Sequence, residues 1–205
     1  MSETLLSRLQ SKWPAVTSRP SLDCEAFTIP VDHLPEAAKF LRDEMKFDLL
    51  LDVTAVDWDK DSPRFTVIYH LGSTAGPEYI RLAADCPDDE NPTAPSLTGL
   101  WPGANWHERE TFDMFGIRFS GHPDHRRILM WDDYPYYPLR KEFPLAGIET
   151  ELPDGEIGEK TGAPVTSAPM AGGPFVASAS GRASTDEPRA KDQSWTESKP
   201  KPDSK

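Results

Sequence analysis

Apolar and polar positions between residues 1 and 85 recur with the periods of short helices and strands. Two segments carry apolar stripes at helical spacing and predict helices, at about residues 3–12 and 35–46. Four segments rich in aliphatic, aromatic and β-branched residues predict strands, at about residues 25–31, 47–58, 64–71 and 78–84. The turn between the last two is too short for a crossover helix, which makes them antiparallel. We therefore predict an α+β fold: a small, mostly antiparallel sheet with helices packed on one face, followed by an extended C-terminal segment.

The composition changes near residue 151, where Pro, Gly and Ser become frequent. We expect one folded domain over residues 1–150 and a tail over residues 151–205 that is disordered or docked on a partner. The tail holds too few apolar side chains to offset an ordering entropy of roughly 1–2 kcal/mol per residue. Within it, the segment 169–176 (PMAGGPFV) is suited to a groove on a neighbour, and an unattached linker is an equal alternative.

Charge and hydropathy exclude several classes of function. The chain has 34 acidic and 22 basic residues, a net charge of −12, which disfavours direct binding to nucleic acid or to an anionic membrane. Neither a secretory signal nor an apolar run of the ~20 residues needed to cross a bilayer is present. Cys24 and Cys86 are isolated, so we expect reduced thiols and neither an iron–sulfur cluster nor a zinc knot.

Residues 105–145 combine charged and aromatic residues at a density found nowhere else in the chain, and we call them the dense run. The run contains seven carboxylates, six Lys or Arg and three of the five histidines. Its first four residues, Asn105 to Glu108, have the pattern of a capping box that opens a helix, and Gly116 is placed to close it. At 100° per residue, Glu108 falls on the core side of this helix, where a carboxylate needs a partner.

Two arrangements of the charges in this helix are open. Arg109 and Asp113 are four residues apart and can pair directly. Our hypothesis is that the three carboxylates of the helix meet a downstream basic group, within the fold or across an interface. The carboxylates are Glu108, Glu110 and Asp113, and the basic group is Arg126 and Arg127. The alternative is a solvated charged helix that is stabilised by local pairs.

A catalytic interpretation of the dense run has less support. His107, Glu108 and Glu110, or His122, Asp124 and His125, are the combinations that could bind a metal. Pro123 breaks the helical spacing of the second set, and the first lacks the His-Glu-x-x-His pattern of zinc peptidases. With both spacings unfavourable, a stand-alone metallohydrolase remains only an alternative. The chain also lacks a nucleophile elbow and a phosphate-binding loop, which disfavours nucleophilic catalysis and nucleotide binding.

The end of the dense run points to contacts rather than chemistry. Four aromatic residues there are of a kind enriched in interface cores, although they are equally compatible with an ordinary core; they are Trp131, Tyr134, Tyr136 and Tyr137. Prolines bracket the following segment, 138–144, and restrain the residues before them. We therefore predict that Arg140 and Lys141 are presented on a stiff, extended segment.

The dense run resembles the signature of the C-subunit family, also called the thirty-kilodalton subunit, of respiratory complex I, the proton-pumping NADH:quinone oxidoreductase. The resemblance covers roughly residues 1–150, most strongly residues 95–145. Matching positions include the spacing ERE-x2-DMF-x6-H-x3-RRI and the segment PLRKEFPL. The candidate interface and structural residues are Glu108, Arg109, Glu110, Asp113, His122, Asp124, Arg126, Arg127, Arg140 and Lys141. The chain departs from the family pattern at His125, where leucine is usual, and at residues 135–137.

The resemblance implies a subunit of the peripheral arm with no cofactor and no catalytic residue of its own. Such a subunit packs against the D-subunit homologue, near the iron–sulfur chain and the quinone site, on the cytoplasmic side of the inner membrane. FMN and the iron–sulfur clusters are then held by other subunits, which carry electrons from NADH to quinone. The alternative within this resemblance is a homologous subunit of a membrane-bound hydrogenase or formate-oxidising complex.

Overall fold

The computed structural model describes residues 4–132 and 134–144, which belong to two compact units divided between Asp132 and Asp133. All regular elements that it describes lie in the first unit. The helices are α1 (Leu5–Lys12), α2 (Leu34–Asp43) and α3 (Ala104–Phe115), with a 3₁₀ turn at Val31–His33. The strands are β1 (Thr17–Ser18), β2 (Glu25–Thr28), β3 (Leu49–Asp57), β4 (Phe65–Gly72), β5 (Tyr79–Asp85), β6 (Thr93–Pro95) and β7 (Arg118–Ser120). The predicted tail and its segment 169–176 lie outside the described residues.

The first two helices begin and end for local reasons. At the start of α1, the Thr4 hydroxyl accepts a hydrogen bond from the Ser7 amide at 3.2 Å, which caps the helix. The second helix carries Pro35 in its first turn and stops at Asp43, slightly before the predicted end. Lys46 there has a φ of 65°, and the Phe47 amide donates to the Leu41 carbonyl, so the chain turns out of the helix. No described helix is long and apolar enough to cross a membrane.

The main sheet has five strands in the order β1-β2-β5-β4-β3. Strands β3, β4 and β5 form an antiparallel meander, and β1 is antiparallel to β2, whereas β2 and β5 run parallel. The chain thus passes from β2 to the far edge of the sheet and returns strand by strand. The predicted α+β fold with a mostly antiparallel sheet is confirmed.

One face of the sheet, which we call the inner face, is covered by the helices. On the inner face, Val53, Val67 and Leu82 belong to one buried apolar cluster with Leu9 of α1 and Leu41 of α2. The last turn of α3 contributes two side chains to the same cluster, those of residues 114 and 115. The three helices therefore contribute side chains to the core that covers this face, and the apolar stripes predicted this for α1 and α2.

Strands β6 and β7 form a separate parallel pair of three residues each. The sequence did not predict them, because such short segments cannot establish a period and Pro95 lowers the strand propensity of β6. The pair matters for the site because β6 leads into the loop at residues 96–103, and α3 follows directly.

Candidate functional site

The start of α3 differs from the predicted capping box. Gly103 precedes the helix and no side chain caps it, because Asn105 is already its second residue. The loop carbonyls of Trp101 and Pro102 accept from the first amides of the helix, at 3.0 and 3.2 Å. The capping box is therefore wrong, whereas Gly116, with a φ of 77°, closes the helix as expected.

Glu108 lies in the core and has no exposed surface, as its helical position predicted. Its carboxyl oxygens accept from the Ser96 hydroxyl at 2.6 Å and from the Leu97 amide at 2.7 Å. Burial raises its pKa from 4.5 to about 7, although both hydrogen bonds act in the opposite direction. Glu108 therefore binds a proton far more readily than an exposed glutamate does.

His122 and Tyr69 lie beside this carboxyl group. The His122 side chain is fully buried, and its Nε2 is 3.9 Å from the carboxyl group. Its Nδ1 accepts from the Asp124 amide at 3.0 Å, which places the ring proton on Nε2, facing the Asn105 carbonyl at 3.2 Å. Tyr69 is also fully buried, and its hydroxyl makes no hydrogen bond among the described residues. Burial raises the Tyr69 pKa, and the Glu108 charge adds to the shift.

Asp113 is the second fully buried carboxylate of α3, but its partners are of another kind. One oxygen accepts from three consecutive amides, those of Ile128, Leu129 and Met130, at 2.6–2.9 Å. The other oxygen accepts from the Arg127 guanidinium, whose side chain is 8% exposed. Burial alone would raise the pKa of Asp113, but the amides and the guanidinium outweigh it and the pKa is lowered. Asp113 therefore anchors the loop as a charged group.

Arg109 anchors the same loop from the neighbouring turn of the helix. Its guanidinium donates to the carbonyls of Arg126 and Arg127, each at 3.2 Å. It also lies 3.7 Å from the Asp124 carboxylate and 5.4 Å from the centre of the Trp106 ring. The predicted direct pair between Arg109 and Asp113 is absent from the described contacts, because both side chains are used on the loop at residues 124–130.

The charged side chains of α3 thus have different partners. Asp113 meets Arg127 within the fold, as hypothesised, whereas Glu108 binds the loop before the helix instead of the basic group. Glu110 is exposed and makes no ion pair among the described residues. A solvated helix does not describe Glu108, Arg109 or Asp113, which are all at least 95% buried. Arg126 pairs at the surface with Asp124, at 2.9 Å.

His125 packs as an apolar side chain would, although leucine is usual in the family pattern. Its ring centre is 4.3 Å from that of Phe112 and 6.3 Å from that of Phe119. Its Nε2 accepts from the Phe119 amide at 3.0 Å, and burial lowers its pKa. Within the described ranges, no group of three His, Cys, Asp or Glu side chains is arranged to hold a metal ion.

The second unit shows turns where an extended segment was expected. The Arg140 amide donates to the Tyr137 carbonyl, and the Phe143 amide to the Arg140 carbonyl. Pro138 is the second residue of the first turn, a position that its fixed φ favours, so the extended prediction is wrong. The Arg140 guanidinium lies 4.6 Å from the Tyr137 ring centre. Whether Arg140, the exposed Lys141 and the aromatics form an interface stays a prediction.

The arrangement around α3 is suited to holding structure rather than to reacting. Glu108 has a pKa near neutrality, but it has no exposed surface from which to reach a substrate. An open cleft of about 570 Å³ lies elsewhere, between the start of α1, the end of α2 and the turn at residues 73–78, and the dense run does not line it.

Several partners in this region could not be identified from the sequence. Ser96 lies 12 residues before Glu108, and no known motif links the two positions. The partners of Asp113 are mostly backbone amides, which the sequence does not distinguish. Tyr69 was predicted on a strand, and strand alternation was the only signal that it faces inward.

Comparison with known proteins decides the family. A family model described as "Respiratory-chain NADH dehydrogenase, 30 Kd subunit" matches residues 27–149. The chain belongs to this family. Membership confirms the resemblance carried by the dense run, and the match extends over most of the sheet as well as over α3.

Similarity to named relatives supports the same family. The chain is 46% identical over 151 residues to the C subunit of the NADH-quinone oxidoreductase of Roseiflexus sp. (strain RS-1), covering 71% of this chain and 86% of the relative. It is 46% identical over 129 residues to a C/D subunit of the NADH-quinone oxidoreductase of Sulfurihydrogenibium sp. (strain YO3AOP1), covering 61% of this chain and 22% of that longer protein.

Solved structures show the same fold. A trypsin-resistant fragment of Nqo5 superposes with a TM-score of 0.51 at 30% identity, covering 58% of this chain and 96% of the fragment. A chain of an archaeal membrane-bound sulfane sulfur reductase superposes with a TM-score of 0.60 over 78% of this chain and 91% of that one. The second likeness, at 22% identity, concerns the fold alone.

Proposed function

We propose that this chain is the C-type subunit in the peripheral arm of a proton-translocating NADH:quinone oxidoreductase. It binds no cofactor, packs against the D-subunit homologue, and supports electron transfer from NADH to quinone. FMN and the iron–sulfur clusters belong to other subunits, and the chain is held by them on the cytoplasmic side of the membrane.

One observation carries this proposal beyond family membership. The buried charged groups of α3 are engaged inside the chain: Glu108 by the loop before the helix, and Arg109 and Asp113 by the loop after it. A catalytic role would require some of these groups to reach a substrate, and all three are at least 95% buried. The geometry therefore supports a subunit that holds shape for its neighbours.

The test is isolation of the assembly from its natural membrane. The chain is tagged at its chromosomal locus, membranes are solubilised gently, and the captured proteins are identified by mass. We expect the D-subunit homologue, a flavin-bearing NADH module and NADH:quinone reductase activity in the same fraction. Recovery of the tagged chain alone, at monomer size, would overturn the proposal.

The same preparation separates the alternatives. A nickel-bearing subunit without an NADH module would assign the chain to a hydrogenase, and a formate-oxidising subunit would assign it to that complex. Stoichiometric zinc, manganese or iron bound to the isolated chain would support a metallohydrolase instead. A strain lacking the chain supplies the control: NADH:quinone activity should disappear and return when the gene is restored.

A further inference from the structure

The outer face of the sheet is the face turned away from the core cluster. Its residues follow from the register: His70 pairs with Asp52 and Arg81, and Gly72 pairs with Leu49 and Tyr79. Ile68 and Ala83 also pair on this face; both lie outside the inner core cluster, and both are buried, so the middle of the face is not exposed.

Large hydrophobic side chains are exposed on this face. Eight such side chains are exposed among the described residues, and four of them, Leu49, Leu51, Trp58 and Tyr79, lie on or at the ends of β3 and β5. Their exposed fractions are between 39% and 47%. The solvated face of an antiparallel sheet normally carries polar side chains, so this concentration requires an explanation.

Three of these side chains gather around a glycine. Gly72 pairs with Leu49 on one side and with Tyr79 on the other. Leu51, at the bulge in β3, lies over it: a Cβ added to Gly72 would be 3.3 Å from the Leu51 side chain. We call Leu49, Leu51, Gly72 and Tyr79 the Gly72 patch. Because the patch is built on hydrogen-bonded strands, its shape is set before any partner arrives.

Polar groups border the patch and are already paired with one another. Arg81 donates to Asp23 at 2.9 Å and to His70 at 2.8 Å. Asp52 lies 3.9 Å from His70 and 3.3 Å from His107 of α3. An apolar centre with a polar rim is the anatomy of a protein interface, and rim groups that are paired in advance lower the cost of desolvation.

We infer that the Gly72 patch is the docking surface for the D-subunit homologue, an inference that rests on the proposed function. The occupant is suggested by the Sulfurihydrogenibium relative, in which the part similar to this chain is 22% of one polypeptide that is named for both a C and a D subunit. A C-type and a D-type part of one polypeptide stay close to each other. An exposed apolar patch of this kind favours a partner that stays bound, and a D-type part is the one that this relative carries in the same polypeptide.

The test compares one substitution at three exposed leucines. Leu51→Glu and Leu49→Glu place a charge in the Gly72 patch, whereas Leu129→Glu places it on the loop anchored by Asp113, where Leu129 is 57% exposed. Each full-length variant is co-expressed with the D-subunit homologue of the same organism, which carries the tag. The amount captured per tagged protein is then measured.

We expect both patch variants to be captured at least ~10-fold less than wild type and Leu129→Glu to be captured as wild type, since charge in an interface centre removes a large share of the binding energy. Equal capture of all forms would overturn the inference and leave the proposed function intact. Loss with Leu129→Glu alone would also overturn it, because it would place the interface on the loop. Failure of wild type to be captured would overturn both.

A measurement on wild type removes dependence on the folding of variants. Hydroxyl-radical footprinting, with and without the D-subunit homologue, reports the solvent access of individual side chains. We expect modification of Leu49, Leu51 and Tyr79 to fall in the complex while that of Leu129 stays unchanged. Unchanged modification at the patch in a verified complex would overturn the inference.

Discussion

Glu108 and Asp113 lie on the same helix, and both carboxyl groups are fully buried, yet their pKa values shift in opposite directions. Glu108 has two hydrogen-bond donors and the His122 ring at 3.9 Å. Asp113 has three amides and a guanidinium. The difference teaches that burial alone does not decide the charge of a carboxyl group: burial outweighs two neutral donors at Glu108, whereas three amides and a guanidinium outweigh burial at Asp113.

The largest expected effect is the loss of charge at Asp113. In Asp113→Asn, the Arg127 guanidinium keeps its buried position but loses the charge of the Asp113 carboxylate, so we expect a loss of about 3–5 kcal/mol in unfolding free energy. Because the native pKa is lowered, the wild-type advantage is present above the unfolded value of 3.8 and is lost as pH falls through the native pKa. Urea denaturation at pH 7 and at pH 3 measures both parts.

Asp124→Asn is the matched control for that experiment. Asp124 pairs with Arg126 at the surface, where the two side chains are 47% and 67% exposed. It also lies 3.7 Å from Arg109, but that guanidinium keeps its hydrogen bonds to two loop carbonyls, so we expect a change below about 1 kcal/mol. Equal losses for the two variants would show that burial of the Asp113 pair is not what stabilises the loop.

The opposite behaviour is expected at Glu108. Its pKa is raised from 4.5 to about 7, so the stability contributed by its protonated form is complete below pH 4.5 and is lost as pH rises through 7. Glu108→Gln keeps the shape without the titration. Relative to wild type, its unfolding free energy should rise by about 3 kcal/mol between pH 4.5 and pH 9. A difference independent of pH, in denaturation series of both proteins, would contradict this account.

The smallest expected effect comes from removing one of the two hydrogen-bond donors to Glu108. Ser96→Ala removes the hydroxyl that donates to Glu108 at 2.6 Å. We expect a loss of about 1 kcal/mol at pH 9, a smaller loss at pH 5, and a further rise of the Glu108 pKa. Carbon-13 NMR of labelled glutamate carboxyl groups follows that titration directly. A lowered pKa in the variant would show that the hydroxyl does not stabilise the charged form.

Local periodicity predicted what depends on nearby residues. It indicated the helices, the antiparallel strands, the closing Gly116 and the inward direction of Glu108, because each follows from spacing within a few positions. It missed the parallel pairing of β2 with β5, since β2 ends at Thr28 and β5 begins only at Tyr79, with two strands and a helix between them.

The partners of the buried charges were harder to predict for a different reason. The capping box was wrong because Asn105 and Glu108 have the correct spacing, but Glu108 has a stronger use in accepting from Leu97. Backbone amides, which anchor to Asp113, are present at almost every residue and so leave no mark in the sequence. Charge density identified the region, while only the fold determined which charge meets which donor.

Asp113 holds the loop through three main-chain amides and not through the side chains of those residues. The outward side chain at Leu129 can therefore change without loosening the anchor, provided that the new residue keeps its N–H. Proline has no N–H, so it is the one substitution at this position that removes the hydrogen bond to Asp113 completely. The exposed side chains of this loop can therefore be substituted, in evolution or by design, while its backbone keeps the same path over the helix.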